Sequence, residues 1–308
     1  MIQVHNISKS FDSLQALDDL SFRVNEGEIF GIIGPDGAGK TTLFRIMTTL
    51  LLADRGEISL NSLDVVKDFR SIRKIIGYMP GKFSLYQDLT IEENLNFFAT
   101  VFNTSIEENY HLIKDIYVQI EPFKKRRAGA LSGGMKQKLA LCCALIHYPK
   151  ILFLDEPTTG VDPVSRAEFW EMLLSLKESG LTIAVSTPYM DEAGKCDRIA
   201  LIQKGRFLKI DTPDNITDQF HLSLMSVKSD SMYPLLKDLR KIEGIDSCFS
   251  FGDSHHITFQ ANRLQKDEIE SILRTKGHHN IDIQPIKANM EDCFMDLAQS
   301  EESLKGEP

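Results

Sequence analysis

The chain has 308 residues, a formal net charge of −9, and 42% hydrophobic and 26% charged residues. That length can carry two domains with substantial cores, and the composition is that of an ordinary soluble globule. The acidic balance argues against nucleic acid as a partner. The longest apolar run, Leu139 to Ile146, is far short of the ~20 residues a spanning helix needs.

Met1-Ile2-Gln3-Val4-His5 opens directly into a strand-like pattern rather than a leader. Further on, the apolar run Ile29-Phe30-Gly31-Ile32-Ile33 precedes Gly34-Pro35-Asp36-Gly37-Ala38-Gly39-Lys40-Thr41, which fits the phosphate-binding G-x-x-x-x-G-K-[ST] loop. A helical pattern starting at Thr42 follows. A chance glycine turn could match the motif, but the strand–loop–helix context makes the loop credible. Glycines let successive backbone N–H groups turn inward on a phosphate chain, and the helix N-terminus adds roughly half a positive charge. Lys40 would reach the β- and γ-phosphates, and the Thr41 hydroxyl would ligate Mg²⁺. The expectation is a site for a nucleoside triphosphate, with ATP-binding contacts from Gly34 through Thr42.

Ile76-Gly77-Tyr78-Met79-Pro80 reads as the end of another strand. The stretch from about residue 87 onward is predicted helical, with Thr90 capping Ile91 to Phe98. Lys124-Lys125-Arg126-Arg127 is a solvated basic loop. Leu131-Ser132-Gly133-Gly134-Met135-Lys136-Gln137 then sets a Ser-Gly-Gly N-cap before a helix. Ile151-Leu152-Phe153-Leu154 is apolar without alternation, as a strand buried on both faces should be, and it ends in Asp155-Glu156-Pro157. Beside a phosphate loop, Asp155 is placed to hold Mg²⁺ and Glu156 to act as general base toward water.

The phosphate loop, the Leu131–Gln137 segment and the acidic strand stand in the order and spacing of the ATP-binding-cassette (ABC) transporter ATPases. The chain resembles that superfamily over residues 1 to about 220. The resemblance implies an α/β P-loop cassette over residues 1–218. It would hold a mixed RecA-like core sheet, an antiparallel β subdomain and a helical subdomain at about 87–145. It also implies a cassette dimer, in which the signature of one subunit, here Leu131 to Gln137, closes on the ATP of the other. Phe11, in the loop after the first strand, would stack on adenine, although a plain core role remains open. Asp162 in Gly160-Val161-Asp162-Pro163 would belong to the loop at the dimer interface. Among relatives, the motifs look most like the first cassette of tandem export ATPases of the multidrug and antibiotic ABC-2-type group. The cofactors implied are ATP and Mg²⁺, and the partners are ABC-2-type permease subunits and a second cassette. The location implied is peripheral, on the cytoplasmic face of the membrane.

Two positions depart from that pattern. Gly81 stands where the family has Gln, and Pro188, after Thr182-Ile183-Ala184-Val185-Ser186-Thr187, stands where it has His. Neither can donate a side-chain hydrogen bond, and Gln87 is six residues from the first role. Asp36 replaces the usual Asn, a milder change. Loss of one transition-state donor often costs ~10²–10³ in rate, so the chain's own site is expected to bind ATP and hydrolyse it slowly. Its signature would complete a site on a different cassette. A cassette that only binds ATP and completes its partner's site is the alternative.

Past about residue 220 no nucleotide motif recurs. Strands at Ser223–Val227, Ser247–Phe251, His256–Gln260 and Ile281–Ile286, with helices at Tyr233–Ile242 and Lys266–Lys276, give a βαββαβ order. That is a small α+β, ferredoxin-like domain over residues 222–299. Met290 to Leu297 resembles the acidic-aromatic ending of export cassettes, and residues 300–308 read as a disordered tail. Cys142, Cys143, Cys196, Cys248 and Cys293 show no metal or disulfide spacing. His255-His256 and His278-His279 lack partners at zinc-ligand spacing.

Overall fold

A computed structural model describes residues 1–259 and 264–305. The chain divides into two units, Met1–Pro213 and Asp214–Pro308.

In the first unit, β1 (Ile2–Phe11) and β2 (Leu14–Val24) form an antiparallel pair. Then come β3 (Ile29–Ile33), α1 (Lys40–Met47), β4 (Arg55–Leu60), β5 (Leu63–Asp64), α2 (Phe69–Ile75) and β6 (Ile76–Met79). Three helices follow, α3 (Ile91–Val101), α4 (Ile106–Tyr117) and α5 (Gly133–Leu145). Thr90 and Ser105 each start their helix with a reciprocal capping box. The unit continues with β7 (Ile151–Asp155), α6 (Pro163–Glu178), β8 (Thr182–Thr187), β9 (Arg198–Gln203) and β10 (Arg206–Asp211).

Two sheets result. One is antiparallel, in the order β2-β1-β4-β5; the other runs β10-β9-β3-β8-β7-β6 and is parallel except for the edge strand β10. Every residue of β3, β7 and β8 is buried, because elements cover both sheet faces. One core joins the two sheets through α1, with Ile2, Leu17 and Leu20 meeting Phe44, Ile32 and Phe153. Phe22 stacks on Phe30 at 5.3 Å between centroids, and Phe44 meets Phe153 edge-on at 6.0 Å. This packing fixes α1 just beyond the carboxyl ends of β3, β7 and β8, the edge where open α/β sheets hold ligands.

The second unit begins with α7 (Pro213–Asp218), a helical turn where the sequence reads as a polar connection. It proceeds through β11 (Ser223–Lys228), α8 (Met232–Leu239), β12 (Ile245–Phe251), β13 (Ser254–Phe259), α9 (Lys266–Thr275), β14 (Asp282–Pro285) and α10 (Met290–Lys305). The strands make an antiparallel sheet in the order β12-β13-β11-β14. Leu235 and Leu239 of α8 and Ile269 and Leu273 of α9 bury against Val227, Ile257, Phe259 and Ile283. His255 Nε2 bonds the Met232 carbonyl at 2.7 Å, whereas His256 Nδ1 meets Asp292 of α10 at 2.8 Å. Successive strand residues face opposite sides, so α10 lies on the face opposite α8.

One expectation needs correction here. The tail expected from residue 300 is helical as far as Lys305, continuing α10 without a break. Gln, Glu, Leu and Lys are good helix formers, and the pattern's polarity hid that. Residues 306–308 lie outside the described residues, as does Gln260 at the end of the expected fourth-element strand. Of the paired histidines, His255 and His256 bond as described, and His278 Nε2 meets Asp238 at 3.1 Å. Among the described residues no group of three His, Cys, Asp or Glu side chains could hold a metal ion, and no helix is long and apolar enough to cross a membrane.

Candidate functional site

The loop Gly34–Gly39 connects β3 to α1; its two ends pack with almost no clearance, while Pro35, Asp36 and Gly37 between them are exposed. A Cβ at Gly34 would fall 2.1 Å from the Ile202 carbonyl oxygen, and one at Gly39 would fall 2.5 Å from that of Ala16. Gly39 also has φ 106, a conformation open to glycine and strained for other residues. It starts α1 with no side-chain cap, so the first-turn N–H groups are left for a phosphate-like acceptor. Gly34 N–H donates to the Thr187 carbonyl at 3.2 Å, fastening the loop to the end of β8.

Lys40 is 3% exposed. Its Nζ donates to the carbonyls of Gly34 at 2.7 Å and Pro35 at 3.0 Å, and lies 3.1 Å from Glu156 Oε1. A single ammonium therefore spans the loop and the acidic strand. Next to it, Thr41 Oγ1 lies 3.2 Å from Asp155 Oδ1, which also accepts from Ser186 Oγ at 2.7 Å. A hydroxyl and a buried carboxylate so close form an all-oxygen pair suited to Mg²⁺, which is bound through one or two protein oxygens plus phosphate and water. Burial is the chief influence on Asp155 and holds its carboxyl above the usual range, while the Ser186 and Thr41 hydroxyls pull the other way.

Glu156 has φ 51, and its N–H donates to both the carbonyl and the hydroxyl of Ser186 at 3.0 Å. Gly81 follows β6 beside this pair. A Cβ built on it would lie 3.0 Å from the Asp155 carbonyl oxygen and 3.7 Å from Glu156 Cβ. Pro188 is half-buried and follows Thr187, whose carbonyl holds Gly34. Gln87 is exposed, and its carbonyl accepts from Gly129 N–H at 2.9 Å, which places it beside the segment that leads into Leu131–Gln137.

The signature segment starts α5. Leu131 is buried, Ser132 and Gly133 are exposed, and Ser132 Oγ accepts from Met135 N–H at 3.4 Å. Lys136 Nζ stands 5.5 Å over the Phe83 ring. Asp162 caps α6 by accepting from Ser165 N–H at 3.0 Å, and a Cβ on Gly134 would meet Ser165 Oγ at 2.7 Å. Signature and Asp162 loop are therefore neighbours. Among the described residues no hydrogen bond or ion pair joins Leu131–Gln137 to Gly34–Thr42.

Phe11 is the last residue of β1, paired with Leu14, and not in a loop after the strand. Cross-strand pairing carries the strand further than the sequence pattern does. The ring is 45% exposed, with Lys9 Nζ 5.5 Å above it, which favours a contact surface over a core role.

A cavity of about 440 Å³ adjoins the site, lined among others by Phe83, Phe98, Val101, Phe102, Gly81 and Glu156. Sequence reasoning did not single out Ser186, Thr187, Thr158 or Glu192, all buried beside the acidic turn. The available signal was the polar Ser-Thr ending of the otherwise apolar β8.

A family model described as ABC transporter matches residues 17–159. The chain is 35% identical over 303 residues to the probable multidrug ABC transporter ATP-binding protein YbhF of Escherichia coli (strain K12), covering 96% of this chain and 52% of that protein, about half its length. It is 32% identical over 305 residues to the Nod factor export ATP-binding protein I of Burkholderia thailandensis, covering 97% of each. A solved dimeric ATP-binding cassette in a post-hydrolysis state, bound to ADP and Pi, matches with a TM-score of 0.63 at 26% identity, over 69% of this chain and 98% of that one. The chain belongs to the ATP-binding proteins of the ABC transporter family, and its first unit has the P-loop cassette fold.

Proposed function

We propose that the chain is the ATP-hydrolysing subunit of an exporter. It would pair with a second, different cassette and drive ABC-2-type permease subunits from the cytoplasmic face of the membrane. The observation that carries this reading is the buried Lys40, which bridges the phosphate loop to Glu156 beside the Thr41–Asp155 pair. The Nod factor relative is named for export, and the Escherichia coli one for multidrug transport.

In this reading the first turn of α1 and Lys40 Nζ hold the phosphates, Thr41 and Asp155 hold Mg²⁺, and the exposed Phe11 ring contacts the base. Mg²⁺, when bound, supplies a Lewis acid for phosphate oxygens. Glu156, its backbone set by Ser186, receives the proton of the attacking water. Ser132, Gly133 and Gly134 are exposed or half-exposed at a helix start and serve the partner cassette's nucleotide, with Asp162 beside them. The aromatic cavity next to Gly81 and Glu156 receives a permease helix, so that docking and hydrolysis share a wall. The second unit, with its ferredoxin-like element order, supports pairing or regulation.

In this reading Gly81 and Pro188 weaken the chain's own site, and restoring a side chain at position 81 meets a steric limit. A side chain at position 81 must shift the Asp155 carbonyl by a few tenths of an ångström, as a contact of 3.0 Å is tighter than ordinary packing. The test is Mg·ATP affinity and steady-state phosphate release on the purified chain, then on Gly81→Gln with Pro188→His, with Gly81→Ala as steric control. Tight binding, slow release and a rise in the double variant alone support a weakened ATPase. Tight binding with no release in any variant supports the second reading, a cassette that binds ATP only to complete its partner's site. Rapid release by the unaltered chain, abolished by Glu156→Gln, removes the reason for an unlike partner.

A further inference from the structure

The turn Glu156-Pro157-Thr158 carries the general base in a left-handed backbone conformation, φ 51. A non-glycine residue there costs about 1–3 kcal/mol and persists only where the surroundings over-determine it. At one end Ser186 accepts the Glu156 N–H twice. At the other end Thr158, 1% exposed, donates its hydroxyl to Glu192 Oε1 at 2.8 Å. Glu192 is itself 2% exposed, and its Oε2 accepts from Thr187 Oγ1 at 2.5 Å. Arg166 Nε lies 3.7 Å from Oε1. Thr187 in turn holds the phosphate loop through its carbonyl.

A buried carboxylate is costly unless charge-assisted hydrogen bonds satisfy it. Here the two hydroxyls that bond it come from the acidic turn and from the end of β8, the two segments that frame the reacting groups. We propose that Glu192 is a positioning residue for phosphoryl transfer, locking the Glu156–Thr158 turn and the end of β8 in register with the phosphate loop. It acts through Thr158 and Thr187, the hydroxyls that its two carboxylate oxygens accept from. The proposal rests on the reading that this site binds and hydrolyses Mg·ATP.

The test uses the full chain in excess over radiolabelled ATP, so that even a slow site shows one round of phosphate release, alongside an equilibrium ATP titration. Glu192→Ala should slow release roughly ten- to a hundredfold, the size expected for an ångström-scale misplacement, with ATP affinity changed less than about threefold because the binding groups stay. Glu192→Gln keeps one acceptor and offers one donor to the two hydroxyls, and should restore most of the rate. Thr158→Val should slow release less than Glu192→Ala and add little to it, since both break one network.

Unchanged release in Glu192→Ala overturns the proposal. So does a parallel fall of rate and affinity, or losses that simply multiply in the double variant. If Glu192→Ala does not fold, Glu192→Gln and Thr158→Val decide by the same split of rate from affinity. An unaltered chain that binds ATP but releases no phosphate also overturns it, because the turn then positions nothing that reacts. An unaltered chain that does not bind ATP instead overturns the functional reading beneath it.

Discussion

Two helix N-termini in the first unit are built for the same kind of partner in opposite ways. At α1 the start is an uncapped glycine, the following Lys40 is 3% exposed, and the loop is wedged against the carbonyls of Ile202 and Ala16. At α5 the start is an exposed Ser132 that caps its own helix through a 3.4 Å bond. Both aim backbone N–H groups and a helix dipole at an anion. The first is surrounded by its own chain, with Thr41, Asp155 and Glu156 within bonding range. At the second, Ser132 and Gly133 are exposed, and a Cβ on Gly133 would meet nothing nearer than the Gly160 carbonyl oxygen at 3.7 Å. An end made like the first can grip an anion with groups of its own chain, whereas one made like the second has few groups of its own to offer and would need another surface to close it.

That contrast breaks most sharply at Glu156. Removing the base through Glu156→Gln should slow phosphate release by roughly 10²–10⁴ while leaving ATP affinity nearly intact. Lys40→Ala should weaken ATP binding itself, by about ten- to a hundredfold for a charge-assisted bond worth ~1.5–3 kcal/mol. It also leaves Glu156 without its cation. Equilibrium titration on the purified chain separates the two variants. Equal ATP affinities for Lys40→Ala and the unaltered chain would mean that α1 is not the nucleotide end.

The α1 end was legible because its chemistry demands neighbouring residues of fixed type. Glycines, Lys40 and Thr41 lie together in sequence, as do Asp155 and Glu156. Gly81 could be placed after β6 by pattern, but the 3.0 Å limit on its side-chain space comes from a carbonyl of another strand and leaves no local trace. Glu192 was illegible for the same reason. Met190-Asp191-Glu192-Ala193 carries no motif, and only folding brings Glu192 to Thr158, 34 residues away. Phe11 was misplaced because pairing with Leu14, not local pattern, decides where β1 stops.

Ser132→Ala sharpens the comparison from the α5 side. It should leave ATP affinity of the isolated chain unchanged and lower turnover only when a second cassette is present. Loss of the cap costs about 0.5–1 kcal/mol, the lower figure suiting a bond as long as 3.4 Å. Thermal melting would then shift by only a few degrees, ~2–4 °C per kcal/mol for a unit of this size. A fall in the isolated chain's ATP affinity would show that its signature reaches its own site, and the distinction between the two ends would disappear.

The smallest effect concerns Asp155, where holding a metal and holding the fold pull apart. Burial raises its carboxyl above the ordinary value in the folded chain, so the fold takes up this proton more readily than the unfolded chain does. The resulting contribution to stability is fully present below the unfolded value and is lost as pH rises through the raised folded one. Mg²⁺ needs the ionised oxygen, so Mg·ATP affinity should run the other way, falling as pH drops through the same raised value and earlier than an ordinary carboxylate would allow. Asp155→Asn fixes the neutral form while its Oδ1 can still accept from Ser186 and Thr41. Without nucleotide, near neutral pH, the variant should melt slightly higher than the unaltered chain, and the pH dependence of the gap should follow the titration of Asp155. With Mg·ATP added, the unaltered chain should gain stability and the variant should not. A variant that melts lower without nucleotide would show that the carboxylate's charge supports the fold at this end, and that α1 is held together without any ligand by the same groups proposed to bind the metal.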